Sequence, residues 1–199
     1  MGRITKIILY VVLICVLSTG YIFWHNLSNN FNANIYSQII VSSPDFTSQN
    51  IIPVSFTCQS QNVNPQLSFG NIPDGTISLV IDMVDTNTFA AGYVHWFAWG
   101  ISPKILSIPK NINQDFISQG LNYFNKIGYS GPCPTSGAHH YRFEVYALDT
   151  DLNLKNGANY KEFQSAIKKH IIGYGSLLGL YQYQPKNILK VTANSKAEN

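Results

Sequence analysis

At 199 residues the chain has room for one domain of ordinary size with a full hydrophobic core. Charged residues make up only 12% of it against the usual ~25%, and the formal charge of +3 comes with no dense basic patch, which argues against a nucleic-acid-binding role. Plentiful Tyr and Phe, with Asn, Gln and Ser supplying polarity, favour strands.

The N-terminus has the pattern of an export signal. Arg3 and Lys6 precede an apolar run from Ile7 to Leu17, and the small residues Ser18 and Gly20 suit cleavage after Gly20. Apolar character resumes through Trp24, giving about 18 residues, enough to span a bilayer uncut. Residues 1–26 are therefore a signal peptide or a membrane anchor, and either one exports the domain to the periplasm or beyond, with the inner membrane as the anchor site if uncut. Cys15 lacks the preceding small residue of a lipoprotein signal. Residues 27–34 form a polar tether, 35–192 the folded domain and 193–199 a flexible tail. Cys58 and Cys133 are either bridged in an oxidising compartment or two buried thiols.

Within the domain, Ile39–Ser42 and Ile51–Thr57 are expected as short strands around the turn-rich Ser43–Asn50, with Pro53 at a strand start or edge. After the polar loop Gln59–Asn64 and a short extended piece Pro65–Phe69, Pro73-Asp74-Gly75 makes a turn. Ser78–Val84 is an apolar strand broken only by Asp82, and it ends at Asp85. Tyr93–Ile101 is apolar on both parities and hence central, with His95, Phe97, Trp99 and Ile101 alternating against Val94, Trp96 and Ala98. Ser102–Lys126 is loop-rich.

Gly131-Pro132-Cys133-Pro134 cannot be helical and predicts a fixed loop. The strand after it carries His139, Tyr141, Phe143, Val145 and Ala147 on an inward face, with His140, Arg142, Glu144 and Tyr146 on the other. Tyr160, Phe163, Ile167 and Ile171 then fall at helical spacing from Asn159, with Gly173 and Gly175 as stop signals and Leu177–Tyr183 as a last short strand or coil.

These segments line up with a known family. Phe56-Thr57-Cys58, Asn64-Pro65-Gln66-Leu67, Ser78 to Asp85, Val94-His95-Trp96, Gly128 to Pro134, His139-His140-Tyr141-Arg142-Phe143 and Val145 to Asp149 stand in the order found in phosphatidylethanolamine-binding proteins. Over roughly Ile39 to Tyr183 the chain resembles most the bacterial Raf-kinase-inhibitor-like branch. The resemblance implies an all-β fold with one or two short C-terminal helices, two antiparallel sheets packed as a β-sandwich, and a pocket for a phospholipid headgroup or a simple anion. By the same resemblance His95, His139, Tyr141 and Asp85 line that pocket and Pro132 and Pro134 lie in its wall. Asp82 is the other candidate for the family's first aspartate, although counting back from His95 favours Asp85. The family's Asp-Pro-Asp-x-Pro segment reads Asp85-Thr86-Asn87-Thr88-Phe89 here, so loss of both prolines should loosen that wall, and Asn87 removes a negative charge.

Physics alone supports an anion, since imidazoles and a phenol beside a glycine-containing loop supply hydrogen-bond donors. Asp85 would orient a histidine or meet an ammonium group. Two rival chemistries draw on the same residues. Zinc would draw on His95, His139, His140, Asp85 and Cys133, but strand parity separates the two adjacent histidines and no short ligand spacing is present. A hydrolase would use Ser136 or Cys133, neither of which lies on a strand-to-helix elbow. The expectation is an exported, non-catalytic binding protein without metal or cofactor, taking phosphate or phosphoethanolamine. The alternative is a surface-loop inhibitor of a kinase or protease.

Overall fold

Four apolar runs make the frame. The computed structural model describes residues 36–88, 93–113 and 116–183, so the expected signal or anchor, tether and tail lie outside the described residues. β1 (Ser37–Gln38), β2 (Ile40–Ser42), β3 (Asn50–Ile51) and β4 (Leu67–Gly70) come first, followed by β5 (Ser78–Asp85), β6 (Tyr93–Ile101), β7 (Ser107–Ile108) and β8 (Ser118–Gln119). β9 (Ala138–Leu148), the helix α1 (Tyr160–Ile167) and β10 (Ile171–Gln182) complete the order. The large sheet runs β1-β10-β9-β5-β6-β8, antiparallel except that β1 and β3 join β10 in parallel, and the small sheet runs β2-β4-β7.

Side-chain alternation divides the apolar residues between two cores. Leu79, Ile81, Met83, Tyr141, Phe143 and Val145 pack inward with Leu67 and Phe69 of the small sheet. Val80, Val84, Phe97 and Trp99 face the other way and are covered by Phe163 and Ile167 of α1. The inward row foreseen for β9 is therefore the observed one. β6 departs from strict alternation: its register against β5 shifts between Met83/Val84 and again between Leu79/Ile81. The first shift leaves His95 as an extra residue between Val94 and Trp96, a bulge that turns His95 toward Tyr141 while Trp96 stays in the inner core. Gly100, at φ 75°, allows the second shift, which returns Ile101 to the inner core.

Two expected elements differ. The run Ile51–Thr57 is a strand only as far as Ile51; beyond Pro53, Val54–Phe56 form a 3-10 turn that buries Phe56, and Thr57 closes the turn by donating through Oγ1 to the Val54 carbonyl. α1 begins as expected at Asn159, whose side chain accepts from the Glu162 amide while Glu162 accepts from the Asn159 amide, but it ends at Ile167. Ile171, Gly173 and Gly175 belong to β10, not to the helix and its stop.

Those glycines answer to close approach of other segments, the Pro73 ring at Gly173 and the Ile39 backbone at Gly175. A Cβ at Gly175 would sit 2.1 Å from the Ile39 carbonyl oxygen, where the chain crosses the sheet and Ile39 N–H bonds the Tyr174 carbonyl at 2.8 Å. Gly175→Ala is accordingly expected to lower stability by roughly 1–3 kcal/mol in urea unfolding, by forcing β1 off β10. Gly70→Ala, whose Cβ would meet only Ile40 side-chain atoms at 3.6 Å and beyond, serves as the near-neutral control. Equal effects of the two would refute the crowding argument.

Candidate functional site

β5 delivers Asp85 to the end of the sheet, where both carboxylate oxygens are used. Oδ1 accepts the Asn87 amide at 2.9 Å, and Oδ2 lies 2.7 Å from Nδ1 of His139 on β9. Residues 86–88 that follow are held by local and cross-strand bonds. Thr88 Oγ1 donates to the Asp85 carbonyl, the Thr86 amide to the His140 carbonyl, and Asn87 Oδ1 accepts the His140 amide at 2.7 Å. Asn87 thus stitches residues 85–88 to β9.

Asp85 is 4% exposed at its side chain and His139 is 23% exposed, so His139 is the more open of the pair. Tyr141 lies two residues on, fully buried, its ring 6.4 Å from that of His139 and 5.1 Å edge-on from that of His95. Its hydroxyl is enclosed and completes no hydrogen bond, although Asp85 and the Cys133 backbone are near enough to bear on it. Burial first, then the Asp85 charge, pushes its pKa far above the usual phenol value, so Tyr141 remains a donor.

His95 is buried, and its Nδ1 sits 2.7 Å from the Ser130 carbonyl. A carbonyl only accepts, so this nitrogen carries the hydrogen. Burial lowers the His95 pKa against the opposing pull of Ser130, Asp85 and Gly131, and the ring is neutral at neutral pH.

Tyr129 to Pro134 make the wall, with Pro132 and Pro134 buried within it. It is clasped to the segment after β3 by Tyr129 O–H to the Phe56 carbonyl at 2.7 Å, Gly131 N–H to Asn62 Oδ1 at 2.7 Å, Cys58 N–H to the Pro132 carbonyl, and a Cys58–Cys133 disulfide. Only glycine fits at position 131, because a Cβ there would lie 2.1 Å from the Phe56 carbonyl oxygen. The disulfide settles the fate of the two domain cysteines and removes Cys133 as a free nucleophile or metal ligand. His140 points away from the site to Asn87, and Ser136 is exposed in the loop before β9.

Asp85, His95, His139 and Tyr141 thus come together beside the proline loop. A match to the phosphatidylethanolamine-binding protein model covers residues 42–182, most of the chain. The chain belongs to the phosphatidylethanolamine-binding protein family. Among its relatives, a UPF0098 protein of Pyrococcus horikoshii is 43% identical over 146 residues, 69% of this chain and 73% of its own length. One from Chlamydia trachomatis is 32% identical over 147 residues, 71% of this chain and 97% of its own. A solved phosphatidylethanolamine-binding protein homologue from Chlamydia trachomatis superposes with a TM-score of 0.69 at 30% identity, covering 76% of this chain and all of that one. Escherichia coli YbcL, described as a new member of the mammalian family, gives a TM-score of 0.68 at 23% identity over 73% of this chain and 99% of its own, which speaks to fold alone.

Of the two aspartates, Asp85 is the one beside His139. Asp82 lies on the opposite face of β5 from Asp85, where it accepts from the Tyr160 hydroxyl and stands across from Glu144 of β9. Other site-forming residues escaped sequence reasoning. Asn122, buried in the loop-rich stretch, donates to the Gly128 carbonyl and to Ser130 Oγ and accepts the amides of Phe124 and Lys126. It thereby positions Ser130 against His95 and the ring of Phe124 5.5 Å from it. One asparagine among several in a loop carries no periodic signal; only its burial reveals the role.

Proposed function

We propose that this family member is an exported, non-catalytic binding protein that takes a small anion or phosphorylated headgroup at Asp85, His95, His139 and Tyr141, against the Pro132–Pro134 wall. The observation that carries the reading is the Tyr141 hydroxyl. A buried O–H without an acceptor costs about 1–3 kcal/mol, and a ligand oxygen arriving between the two histidines would return that cost as affinity. Asp85, with both oxygens engaged, orients His139 in this scheme and is not free to meet an ammonium group.

Tyr141→Phe is expected to weaken binding of inorganic phosphate about tenfold while leaving the melting temperature unchanged or slightly higher, because the variant no longer buries an unmet hydroxyl. Calorimetric titration checks the first effect and thermal unfolding the second; undiminished affinity would remove Tyr141 from the site. Export is supported by the disulfide, whose two cysteines are both exposed. Thiol alkylation of protein taken directly from its cells tests it, since free Cys58 and Cys133 would place the chain in a reducing compartment.

A further inference from the structure

We infer that an aromatic corner beside the anion site, walled by Phe124 and Tyr123, holds the ammonium end of a zwitterionic headgroup whose phosphoryl end lies between His95 and His139. This rests on the anion-binding reading and assigns the headgroup's second charge. Asp85 is a poor partner for that charge, because its Oδ1 accepts the Asn87 amide and its Oδ2 lies 2.7 Å from His139 Nδ1. A ring face can take the cation instead.

The corner is built on a tight turn. The Asn125 amide donates to the Asn122 carbonyl at 3.0 Å, which puts Tyr123 and Phe124 at the two central positions of a β-turn, where small polar residues are usual. Asn122 Oδ1 accepts the Phe124 amide, the Tyr123 amide donates to the Val94 carbonyl, and the Tyr123 ring stacks on that of Tyr93 with centroids 3.7 Å apart. The turn is thereby tied to β6, and its rings are held before any ligand arrives. Tyr93 stands opposite Asp85 in the β5–β6 register, so the corner is continuous with the site. Tyr93, Tyr123 and Phe124 are nonetheless 39%, 51% and 43% exposed, and contacting rings left this open mark an interaction surface.

Ring geometry selects the occupant. Phe124 meets the His95 ring at 72° and the Tyr123 ring at 83°, each with centroids 5.5 Å apart. Rings standing nearly at right angles enclose a compact group from two sides, as in the aromatic cages that hold quaternary ammonium, whereas a flat ring system needs a parallel face to stack on. Reach agrees as well. A phosphoryl group beside His95 leaves its ester substituent within the roughly 6 Å over which a ring attracts a cation. A ring face is also indifferent to N–H groups, so methylating the nitrogen should not weaken binding, while a carboxylate partner would favour the N–H donors of ethanolamine.

The test is calorimetric titration of the full chain at neutral pH with inorganic phosphate, phosphoethanolamine, phosphocholine and neohexyl phosphate, which matches phosphocholine in shape with carbon in place of nitrogen. Phosphocholine is expected to bind at least as tightly as phosphoethanolamine and about three- to tenfold more tightly than neohexyl phosphate. Phe124→Leu should abolish the preference for phosphocholine over its isostere and Tyr123→Leu should reduce it, whereas Phe124→Tyr keeps it. Taking the ratio within each variant cancels any change in phosphate capture. Nuclear Overhauser contacts from the choline methyl protons to the Phe124 and Tyr123 rings are expected, and they locate the cation independently of affinity. Equal affinity for phosphocholine and its isostere in the natural chain would overturn the inference and leave anion binding standing. Phosphoethanolamine binding about tenfold more tightly than phosphocholine would do the same, by returning the ammonium to a carboxylate. Failure of inorganic phosphate and all three esters to bind would overturn the anion-binding reading itself.

Discussion

Asp82→Asn is expected to make the protein several kcal/mol more stable near pH 8 and to flatten the fall in stability expected of the natural chain as pH rises. Asp82 is 3% exposed in the middle of β5. One of its oxygens accepts from the Tyr160 hydroxyl and the other is enclosed without a partner. Burial, with the nearby Glu144 adding repulsion, pushes its pKa from 3.8 up to about 8, against the opposing effects of Tyr160 and Arg142. Glu144 itself is paired, accepting from Arg142 Nε at 2.9 Å and from the Tyr174 hydroxyl at 3.0 Å.

The sign follows from proton counting. Below about pH 4 folded and unfolded chains both hold the Asp82 proton; between there and about pH 8 only the folded chain does. Stability contributed by this group therefore falls through that window by roughly 1.4 kcal/mol per pH unit and levels off above it. Asparagine has no proton to lose, keeps an acceptor for Tyr160 and puts an N–H₂ where the unmet oxygen was. Denaturant midpoints of both chains from about pH 5 to pH 9 should converge at the acid end and separate at the alkaline end. Parallel curves would mean that Asp82 folds with its charge intact.

Asp82 marks where sequence reasoning stopped short. It was visible as the one polar break in Ser78–Val84, and Glu144 as an acid inside a strand, but their meeting depends on the pairing of β5 with β9, which no local pattern encodes. The central strands, by contrast, were legible because residues buried on both faces leave long apolar runs, and the start of α1 was legible from its stripe beginning at Asn159. The stripe misled at its far end. Ile171 keeps helical phase with Ile167 by coincidence, and Gly173 and Gly175 look like helix stops until the close approach of Ile39 and Pro73 is known. His95 shows the same limit: its place in the site depends on a bulge that strict alternation cannot foresee, whereas Asp85, His139 and Tyr141 follow from their places at strand ends and on the inward face. The hydrogen bonds over residues 85–88 involve side chains of Asp85, Asn87 and Thr88, each ordinary in a turn and informative only once β9 lies alongside.

Removing the disulfide, by reduction or by Cys58→Ala with Cys133→Ala, is expected to cost about 4 kcal/mol of stability, the chain-entropy value for a cross-link spanning 75 residues. Urea unfolding with and without reductant measures it, and an unchanged midpoint would show that the unfolded chain gains little freedom from the cut. Affinity should respond far less than stability. The wall bearing Ser130 to Pro134 keeps the hydrogen bonds that Tyr129 and Gly131 donate to the neighbouring segment and the one that the Pro132 carbonyl accepts from Cys58 N–H, and Ser130 keeps Asn122 and His95. Those contacts act within the folded state, whereas the cross-link acts chiefly by restricting the unfolded one. A loss of phosphate affinity limited to a few-fold, beside a large drop in unfolding free energy, would separate the two; a parallel collapse of both would make the disulfide part of the binding geometry itself.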